Sequence, residues 1–246
     1  MSEKPVYVVS DIHLGAVPAS TERSFRRFLE HVAREGTELL INGDLFDFWF
    51  EYRSVIHGRH YRVLAALADL REAGVRIRFI GGNHDAWGGP FLEKEIGIEI
   101  LEEGVELELA GFRALVVHGD GVGSGDIGYK ALKRLIRNPL AIRAFRLLHP
   151  DWGARLASLV SSTEAKTHGA AGANPERAAE LNRWAAGVLE RRIDLDLILA
   201  GHTHTPIVDE CRPGVYYVNT GDWLSHFTYL ELVRGNPPRL GVWATP

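Results

Sequence analysis

The fold class of this 246-residue chain is best indicated by the segment Val6-Tyr7-Val8-Val9-Ser10-Asp11-Ile12-His13. Its apolar run has the length of a buried strand, and Asp11 and His13, which can both bind a metal, follow directly. The run is too short for the apolar core of a signal peptide. A strand that ends in such residues predicts a layered α/β protein whose chemistry gathers at the carboxyl ends of its strands.

Strand and helix patterns alternate after this segment. Glu22–Arg34 and Arg59–Ala73 have apolar residues at helical spacing. Leu39–Ile41 is a short apolar run and Val75–Ile80 alternates apolar residues with arginine, and both are expected to be strands. This βαβαβ order favours a sheet with helical crossovers. From Gly97 onward short strands separated by turns predominate, so we expect two packed mixed β-sheets flanked by helices.

A helical insertion is expected at about residues 129–192. Residues 129–166 carry eight basic side chains and only two acidic ones, Asp151 and Glu164. Together with interspersed apolar residues they predict an amphipathic cationic unit suited to anionic lipid headgroups, although a solvated helix face over ordinary core residues is the alternative. The chain lacks a linker long enough to separate domains, so residues 1–246 are expected to form a single domain.

Composition limits the classes of function. The chain has 11 His but only 1 Cys, which excludes an internal disulfide framework and requires any metal site to use imidazole and carboxylate ligands. The net charge of −4 argues against a general nucleic-acid binder. The apolar runs are too short to cross a bilayer, so we expect a soluble protein that at most rests on a membrane surface. The single Cys favours a reducing compartment, and we expect a cytoplasmic protein.

Five polar clusters each follow a candidate strand. They are Asp11-x-His13, Gly43-Asp44-x-x-Asp47, Gly82-Asn83-His84-Asp85, His118-Gly119-Asp120 and Gly201-His202-x-His204. We expect them to converge, because loops at the carboxyl ends of strands meet in layered α/β folds. Side chains alternate along extended backbone, so each Asp-x-His or His-x-His pair should direct both members to one side. The flanking glycines allow close approach of the backbone to a ligand.

The clusters supply seven candidate metal ligands. These are Asp11, His13, Asp44, Asn83, His118, His202 and His204. Seven are too many for one tetrahedral zinc ion and suit two ions that share a carboxylate. Mixed imidazole, carboxylate and amide ligation suits Mn²⁺, Fe²⁺ or Zn²⁺. Two such ions roughly 3.5–4 Å apart can hold the attacking and leaving oxygens of a displacement at phosphorus, so we predict two divalent cations, with Mn²⁺ preferred over iron or zinc.

These motifs, in this order, resemble the motif set of the calcineurin-like metallophosphoesterases. The resemblance implies a four-layer αββα sandwich, a dinuclear metal centre and hydrolysis of a phosphoester. It implies that one ion is held by Asp11, His13, Asp44 and His204, and the other by Asp44, Asn83, His118 and His202. It also implies that Asp44 bridges the ions, that Asn83 stabilises charge on the phosphoryl oxygens, and that His84 protonates the leaving group or contacts phosphate. Asp47 is expected to hold a metal-bound imidazole in place, and Asp85 to do the same or to cap a turn.

A finer resemblance is to the UDP-2,3-diacylglucosamine pyrophosphatase branch, which acts in lipid A biosynthesis. It is carried by Ser10–Gly15, Gly43–Trp49, His118–Gly121 and Asp126-x-Gly128-Tyr129 before the basic insertion. It implies hydrolysis to UMP and 2,3-diacylglucosamine 1-phosphate, an insertion that covers the acyl chains, and peripheral contact with the inner membrane face. It implies three substrate contacts, Asp126, Tyr129 and Lys166. The chain departs from this branch at His84, where the branch usually carries Arg.

Two other interpretations stay open. A metallophosphoesterase acting on a nucleotide or phosphoprotein is favoured by His84, whereas the insertion and Asp126-x-x-Tyr129 favour the nucleotide-lipid. A non-catalytic interaction module on the same scaffold would be marked by lost ligands, and all seven are present. The other histidines are expected at the surface or at helix caps; they are His31, His57, His60, His149, His168 and His226. His226 is the one nearest to a further role, because Asn219–Trp223 precedes it in a loop that is also expected near the site.

Overall fold

Two mixed β-sheets form the centre of the molecule. The computed structural model describes residues 4–52, 54–122, 138–153, 155 and 175–244. The strands are β1 (Val6–Val9), β2 (Glu38–Asn42), β3 (Arg76–Ile80), β4 (Glu99–Leu101), β5 (Val105–Leu109), β6 (Phe112–Val116), β7 (Leu197–Ala200), β8 (Ile207–Arg212), β9 (Val215–Asn219), β10 (Thr228–Leu232) and β11 (Arg239–Val242). The helices are α1 (Ala19–Glu35), α2 (Tyr61–Glu72), α3 (Pro139–Phe145) and α4 (Pro175–Arg191).

The order and direction of the strands place the candidate site at the carboxyl ends of the parallel strands in both sheets. The first sheet has the order β11-β10-β1-β2-β3-β4, and the second has the order β5-β6-β7-β9-β8. Strands β1 to β4 are parallel to one another, as are β6, β7 and β9. Because parallel strands end on the same side, the loops that follow β1, β2 and β3 are neighbours, and so are those that follow β6 and β7.

The alternation of side chains along β1 explains the layers. Val6 and Val8 pack against the second sheet, whereas Tyr7 and Val9 pack in the cluster that contains α1 and α2. Helix α4 covers the outer face of the second sheet with Leu181, Ala185 and Leu189. A strand that is buried on both faces has apolar residues at every position, which explains the unbroken apolar run Val6–Val9. The predicted αββα sandwich of two mixed sheets is confirmed.

Helices α1 and α2 lie where the periodicity predicts them. Helix α1 buries Phe25, Phe28, Leu29 and Val32 at helical spacing, although it begins at Ala19, three residues before the predicted start. A short 3₁₀ turn at Gly58–His60 leads into α2, so the predicted helix start at Arg59 belongs to that turn.

A π-helical turn at Phe91–Ile96 was not predicted from the sequence. Its first backbone N–H groups are capped by the buried carboxylate of Glu51, which accepts from Gly89 and Phe91 at 2.9 Å each. The acceptor comes from a residue about 40 positions earlier in the chain, so a local sequence pattern could not reveal this cap.

The insertion is described only in part. Helix α3 begins at Pro139, and the Asn138 side chain caps it by accepting the Leu140 N–H at 2.8 Å. Asp126, Tyr129 and Lys166, the expected substrate contacts, lie outside the described residues. Across the described part of the chain, no helix combines the length and apolar character needed to span a membrane.

Candidate metal centre

The loops after β1, β2, β3, β6 and β7 meet where the two sheets come together. The side chain of Asn42, at the end of β2, donates to the Val117 carbonyl after β6 at 2.8 Å. The Asp11 N–H donates to the Gly43 carbonyl at 3.1 Å. These bonds join the two sheets and adjacent loops of the first sheet, so the five predicted polar clusters converge as expected.

The first group of potential ligands contains Asp11, His13 and His204, each of which offers one ligand atom within 4.8 Å of the others. The His204 Nε2 lies 3.3 Å from Asp11 Oδ1, and the His13 Nε2 lies 3.9 Å from the same oxygen. Asp11 and His13 are buried, and His204 is partly exposed. The group therefore presents one carboxylate and two imidazoles to a common point.

The second group contains Asp44, His118 and His202, again with one ligand atom of each within 4.8 Å of the others. The Asp44 Oδ2 lies 3.3 Å from His118 Nε2 and 3.8 Å from His13 Nε2. A single oxygen of Asp44 thus faces both groups. This is the position that a carboxylate shared by two cations requires.

Three buried polar atoms in these groups make no hydrogen bond with the described residues. They are Asp11 Oδ1, His13 Nε2 and His118 Nε2. Burial of polar atoms without partners is costly, and a carboxylate and two imidazoles are suitable ligands for a borderline divalent cation. The residues present therefore fit divalent metal ions, and the structure supports divalent metal binding without identifying the element.

Hydrogen bonds orient two of the imidazoles. The His118 Nδ1 donates to the Asn42 carbonyl at 2.8 Å, which fixes the ring so that its Nε2 faces Asp44 and is the nitrogen that could bind a metal ion. The His202 Nδ1 lies 3.1 Å from the side-chain oxygen of Asn83. Asn83 therefore lies beside the second group of ligands.

His84 and Asp47 lie together on the side of the centre nearest His13. The backbone N–H of His84 donates to Asp44 Oδ1 at 2.9 Å, and its Nδ1 is 2.8 Å from the Asp47 carbonyl oxygen. The Asp47 carboxylate lies 3.7 Å from His84 Nδ1 and 3.9 Å from His13 Nδ1. Asp47 is thus next to two imidazoles at once.

Asp85 contacts the backbone rather than an imidazole. Its fully buried carboxylate accepts the N–H groups of Asp44 and Phe46 at 3.1 Å each and that of Gly82 at 2.9 Å. Of the two roles expected for Asp85, these bonds correspond to the capping of a turn. The turn is the one that carries Asp44.

Five of the seven candidate ligands have left-handed backbone, with φ between +50° and +64°. They are Asp11, His13, Asp44, His202 and His204. The expectation that each i, i+2 pair lies on extended backbone is therefore wrong. Left-handed backbone costs a side-chain-bearing residue roughly 1–2 kcal/mol, and long-range bonds hold it here. The N–H groups of Ile12 and His13 both donate to the Asp44 carbonyl at 2.9 Å.

Glycines make room for this convergence. A Cβ on Gly82 would overlap Asp44 Oδ1, and one on Gly43 would overlap the His118 ring. A Cβ on Gly201 would lie 2.7 Å from Asp11 Oδ2. At these three positions a residue larger than glycine would overlap one of the candidate ligand side chains.

The buried carboxylates and imidazoles of the centre shift one another's pKa values. Burial disfavours the charged form of Asp44, but the imidazoles of His118 and His84 outweigh it and hold the pKa of Asp44 well below its usual range. Burial likewise opposes charge on His118, yet the carboxylates of Asp44 and Asp11 raise the pKa of His118 well above its usual range. Burial lowers the pKa of His202 to about 4. A divalent cation bound between these groups would take the place of the proton on His118.

Asp222 is a buried carboxylate in the loop after β9, which was expected near the site although no role was assigned to Asp222 itself. Its Oδ2 lies 2.7 Å from His226 Nδ1 and 4.0 Å from His204 Nδ1. The next residue, Trp223, donates its N–H to the Asp11 carbonyl at 3.0 Å. The available signal was topological, because Asp222 follows β9, which is parallel to β7 and ends at the same edge.

His60 is the N-cap residue of α2, one of the two places expected for it, but its ring is buried and makes no capping hydrogen bond. Its ring centroid lies 4.7 Å from that of Phe46 and 6.1 Å from that of Trp49. Burial lowers the pKa of His60 to about 3. A neutral imidazole can pack among aromatic side chains as another ring does, so the polar character of histidine in the sequence does not exclude burial.

Comparison with known proteins adds to this geometry. The family model described as calcineurin-like phosphoesterase matches residues 4–206, which include all seven candidate ligands. A UDP-2,3-diacylglucosamine hydrolase of Porphyromonas gingivalis is 33% identical over 91% of this chain and 92% of that protein. A protein with the same name from Ralstonia nicotianae is 30% identical over 89% of this chain and 84% of that protein. Another from Escherichia coli is 31% identical over 82% of this chain and 82% of that protein.

Proposed function

The chain belongs to the calcineurin-like phosphoesterase family, and we propose that it hydrolyses UDP-2,3-diacylglucosamine to UMP and 2,3-diacylglucosamine 1-phosphate. The observation that carries the proposal is that two ligand groups lie side by side and meet at the Asp44 carboxylate. The groups are Asp11, His13 and His204, and Asp44, His118 and His202. Relatives that bear this hydrolase name match most of the chain at about the same length.

Two divalent cations belong to this proposal. We assign one to Asp11, His13, Asp44 and His204, and the other to Asp44, Asn83, His118 and His202. We assign Mn²⁺ to both positions, with iron or zinc as the alternatives, because the ligands mix imidazole, carboxylate and amide. When bound, the cations lower the pKa of water and neutralise charge on the phosphoryl oxygens.

The chain's own residues orient the substrate and move the proton. The Asn83 amide donates to a non-bridging phosphoryl oxygen, where negative charge grows as water attacks phosphorus. The bond from phosphorus to the leaving phosphate oxygen breaks as the bond to water forms. The His84 Nδ1 is engaged by the Asp47 carbonyl, so we assign its Nε2 to protonation of the leaving oxygen. Asp47 holds the rings of His84 and His13 in place.

The insertion, residues 129–192, is proposed to cover the acyl chains within a single domain of residues 1–246. Asp126, Tyr129 and Lys166 are proposed as substrate contacts. Peripheral contact with the inner membrane face is supported by the exposed apolar side chains of Leu140 and Trp152. The guanidinium of Arg155 lies 5.7 Å from the Trp152 ring centroid, a pairing suited to the boundary of an anionic lipid layer.

A turnover comparison tests the substrate. The purified protein with Mn²⁺ should release UMP from UDP-2,3-diacylglucosamine with a far higher kcat/KM than it shows for bis-p-nitrophenyl phosphate. Efficient cleavage of the diester with no release of UMP from the lipid would contradict the proposal. That result would support the second candidate, a phosphoesterase for a nucleotide or phosphoprotein, which His84 favours.

Metal analysis tests whether the protein is an enzyme at all. The purified chain should bind two divalent ions, and Mn²⁺ should stimulate hydrolysis. Fewer than about one bound ion per chain, together with no stimulated hydrolysis, would instead favour a non-catalytic scaffold.

A further inference from the structure

Four aromatic rings join α3 to the loops of the metal centre. Phe145, the last residue of α3, has its ring centroid 5.0 Å from Phe50, 4.8 Å from Trp87 and 6.3 Å from Phe48. We call Phe48, Phe50, Trp87 and Phe145 the aromatic seam. Edge-to-face and tilted pairs at these separations are favourable packing geometries.

The seam lies where two loops of the centre pair with each other. Phe48 and Phe50 follow Asp47 in the loop after β2, and Trp87 follows His84 in the loop after β3. Phe50 forms an isolated parallel bridge with Trp87, and the Trp49 N–H donates to the His84 carbonyl at 3.3 Å. Phe145 therefore packs on both loops at the place where they are held together.

Two hydrogen bonds made by the residues just after α3 hold its end on the loop after β2. The Arg146 Nε donates to the Glu51 carbonyl at 2.9 Å, and the Tyr52 hydroxyl donates to the Leu148 carbonyl at 2.9 Å. Glu51 is itself held, because its carboxylate caps the π-helical turn and accepts the Trp49 indole N–H at 3.2 Å. The end of α3 is thus bonded to the loop that carries Asp47.

We propose that Phe145 is a positioning residue for hydrolysis, which acts through Asp47 and His84. The contact it supports is the pair formed by His84 Nδ1 and the Asp47 carbonyl, 2.8 Å apart. Loss of the ring allows the two loops to separate, and the His84 Nε2 then moves away from the leaving oxygen. The inference rests on the proposed function only in requiring a phosphoesterase centre that uses His84 as an acid.

The proposal predicts that Phe145→Ala hydrolyses even substrates without acyl chains more slowly. If the seam served only to bind acyl chains, Phe145→Ala would impair the lipid substrate alone. A positioning role also lowers kcat for a small diester, with little change in KM. The defect is greater for a poor leaving group, because only a poor leaving group depends strongly on a proton from His84.

The experiment compares bis-p-nitrophenyl phosphate with diphenyl phosphate in the presence of Mn²⁺. Phe145→Ala should lower kcat about tenfold for the nitrophenyl ester and further for the phenyl ester, as expected for a small misplacement of a catalytic group. The matched control is Leu147→Ala, because Leu147 is 87% exposed two residues further along, and it should behave as wild type. Phe145→Leu, which retains apolar volume, should recover part of the rate.

Two outcomes would overturn the proposal. One is a wild-type kcat for both small diesters in Phe145→Ala. The other is an equal loss for both leaving groups, which indicates a general structural defect. If Phe145→Ala does not fold, the same comparison in Phe145→Leu decides between these results. A wild-type protein that cleaves the diesters but not the UDP-lipid would remove the proposed substrate and leave this test intact.

Discussion

The buried carboxylate of Asp85 accepts the backbone N–H of Asp44 at 3.1 Å. The same carboxylate accepts the N–H groups of Phe46 and Gly82, so one side chain holds the turn that presents the proposed bridging carboxylate. Burial and the nearby charge of Asp44 raise the pKa of Asp85 to about 7. The position of Asp44 therefore depends on a carboxyl group that is not one of the proposed metal ligands.

Asp85→Asn should destabilise the protein and weaken metal binding. The Asn side chain has only one acceptor oxygen. Its NH₂ group would point at backbone N–H groups whose hydrogen bonds the Asp85 carboxylate accepts in the wild type. The unfolding free energy should fall by about 1–3 kcal/mol, the cost of leaving buried donors unpaired. Urea unfolding and a Mn²⁺ titration measure the two effects. The exposed Asp69→Asn is the control, and wild-type behaviour of Asp85→Asn in both measurements would contradict the assigned role.

Asp44→Asn should abolish hydrolysis without unfolding the chain. One oxygen of Asp44 faces both ligand groups, so its loss removes a ligand from each proposed cation at once. We expect a loss of kcat of at least about 10³-fold and fewer than two bound ions per chain. Activity assays and metal analysis of the purified variant check this. An active Asp44→Asn protein is incompatible with a bridging carboxylate.

Gly82→Ala should disrupt the centre by steric overlap. The added Cβ would meet the Asp44 carboxylate and backbone nitrogen within distances that real side chains do not show. The loops must then shift, so we expect a loss of about 1–3 kcal/mol of stability and much weaker metal binding. Gly58→Ala is the matched control, because a Cβ there meets nothing within 4 Å. Equal melting temperatures and metal affinities for the two variants would argue against the overlap.

His60 should make the protein sensitive to acid. Its pKa is about 3 in the folded state and near 6.5 when exposed, so between these values the unfolded chain binds a proton that the folded chain does not. Stability is therefore lost as pH falls from about 6.5 towards 3, by roughly 2 kcal/mol at pH 5. His60→Phe should flatten this part of the curve. Unfolding free energies measured from pH 7 to pH 4 test it, and an unchanged slope would contradict the assignment.

The residue types at the centre were predictable, but their conformations were not. Asp11, His13, His202 and His204 stand out in the sequence because each pair follows a strand-length apolar run. Their left-handed backbone is invisible there, because it is held by the Asp44 carbonyl and by loops distant in the chain. The loop of Asp222 was expected near the site, but no role was predicted for Asp222, since only the pairing of β9 with β7 brings it to His204.

Local patterns carry information about burial, periodicity and residue chemistry, so the order of strands and helices, the four layers and the seven candidate ligands follow from the chain read alone. The arrangement of those ligands depends on contacts between residues far apart in the sequence. Glu51 caps a turn about 40 residues away, Asn42 ties one sheet to the other, and Phe145 packs on two loops at once. Such contacts form only when the two sheets pack, because burial and hydrogen bonding between distant segments then offset the strain of the left-handed turns.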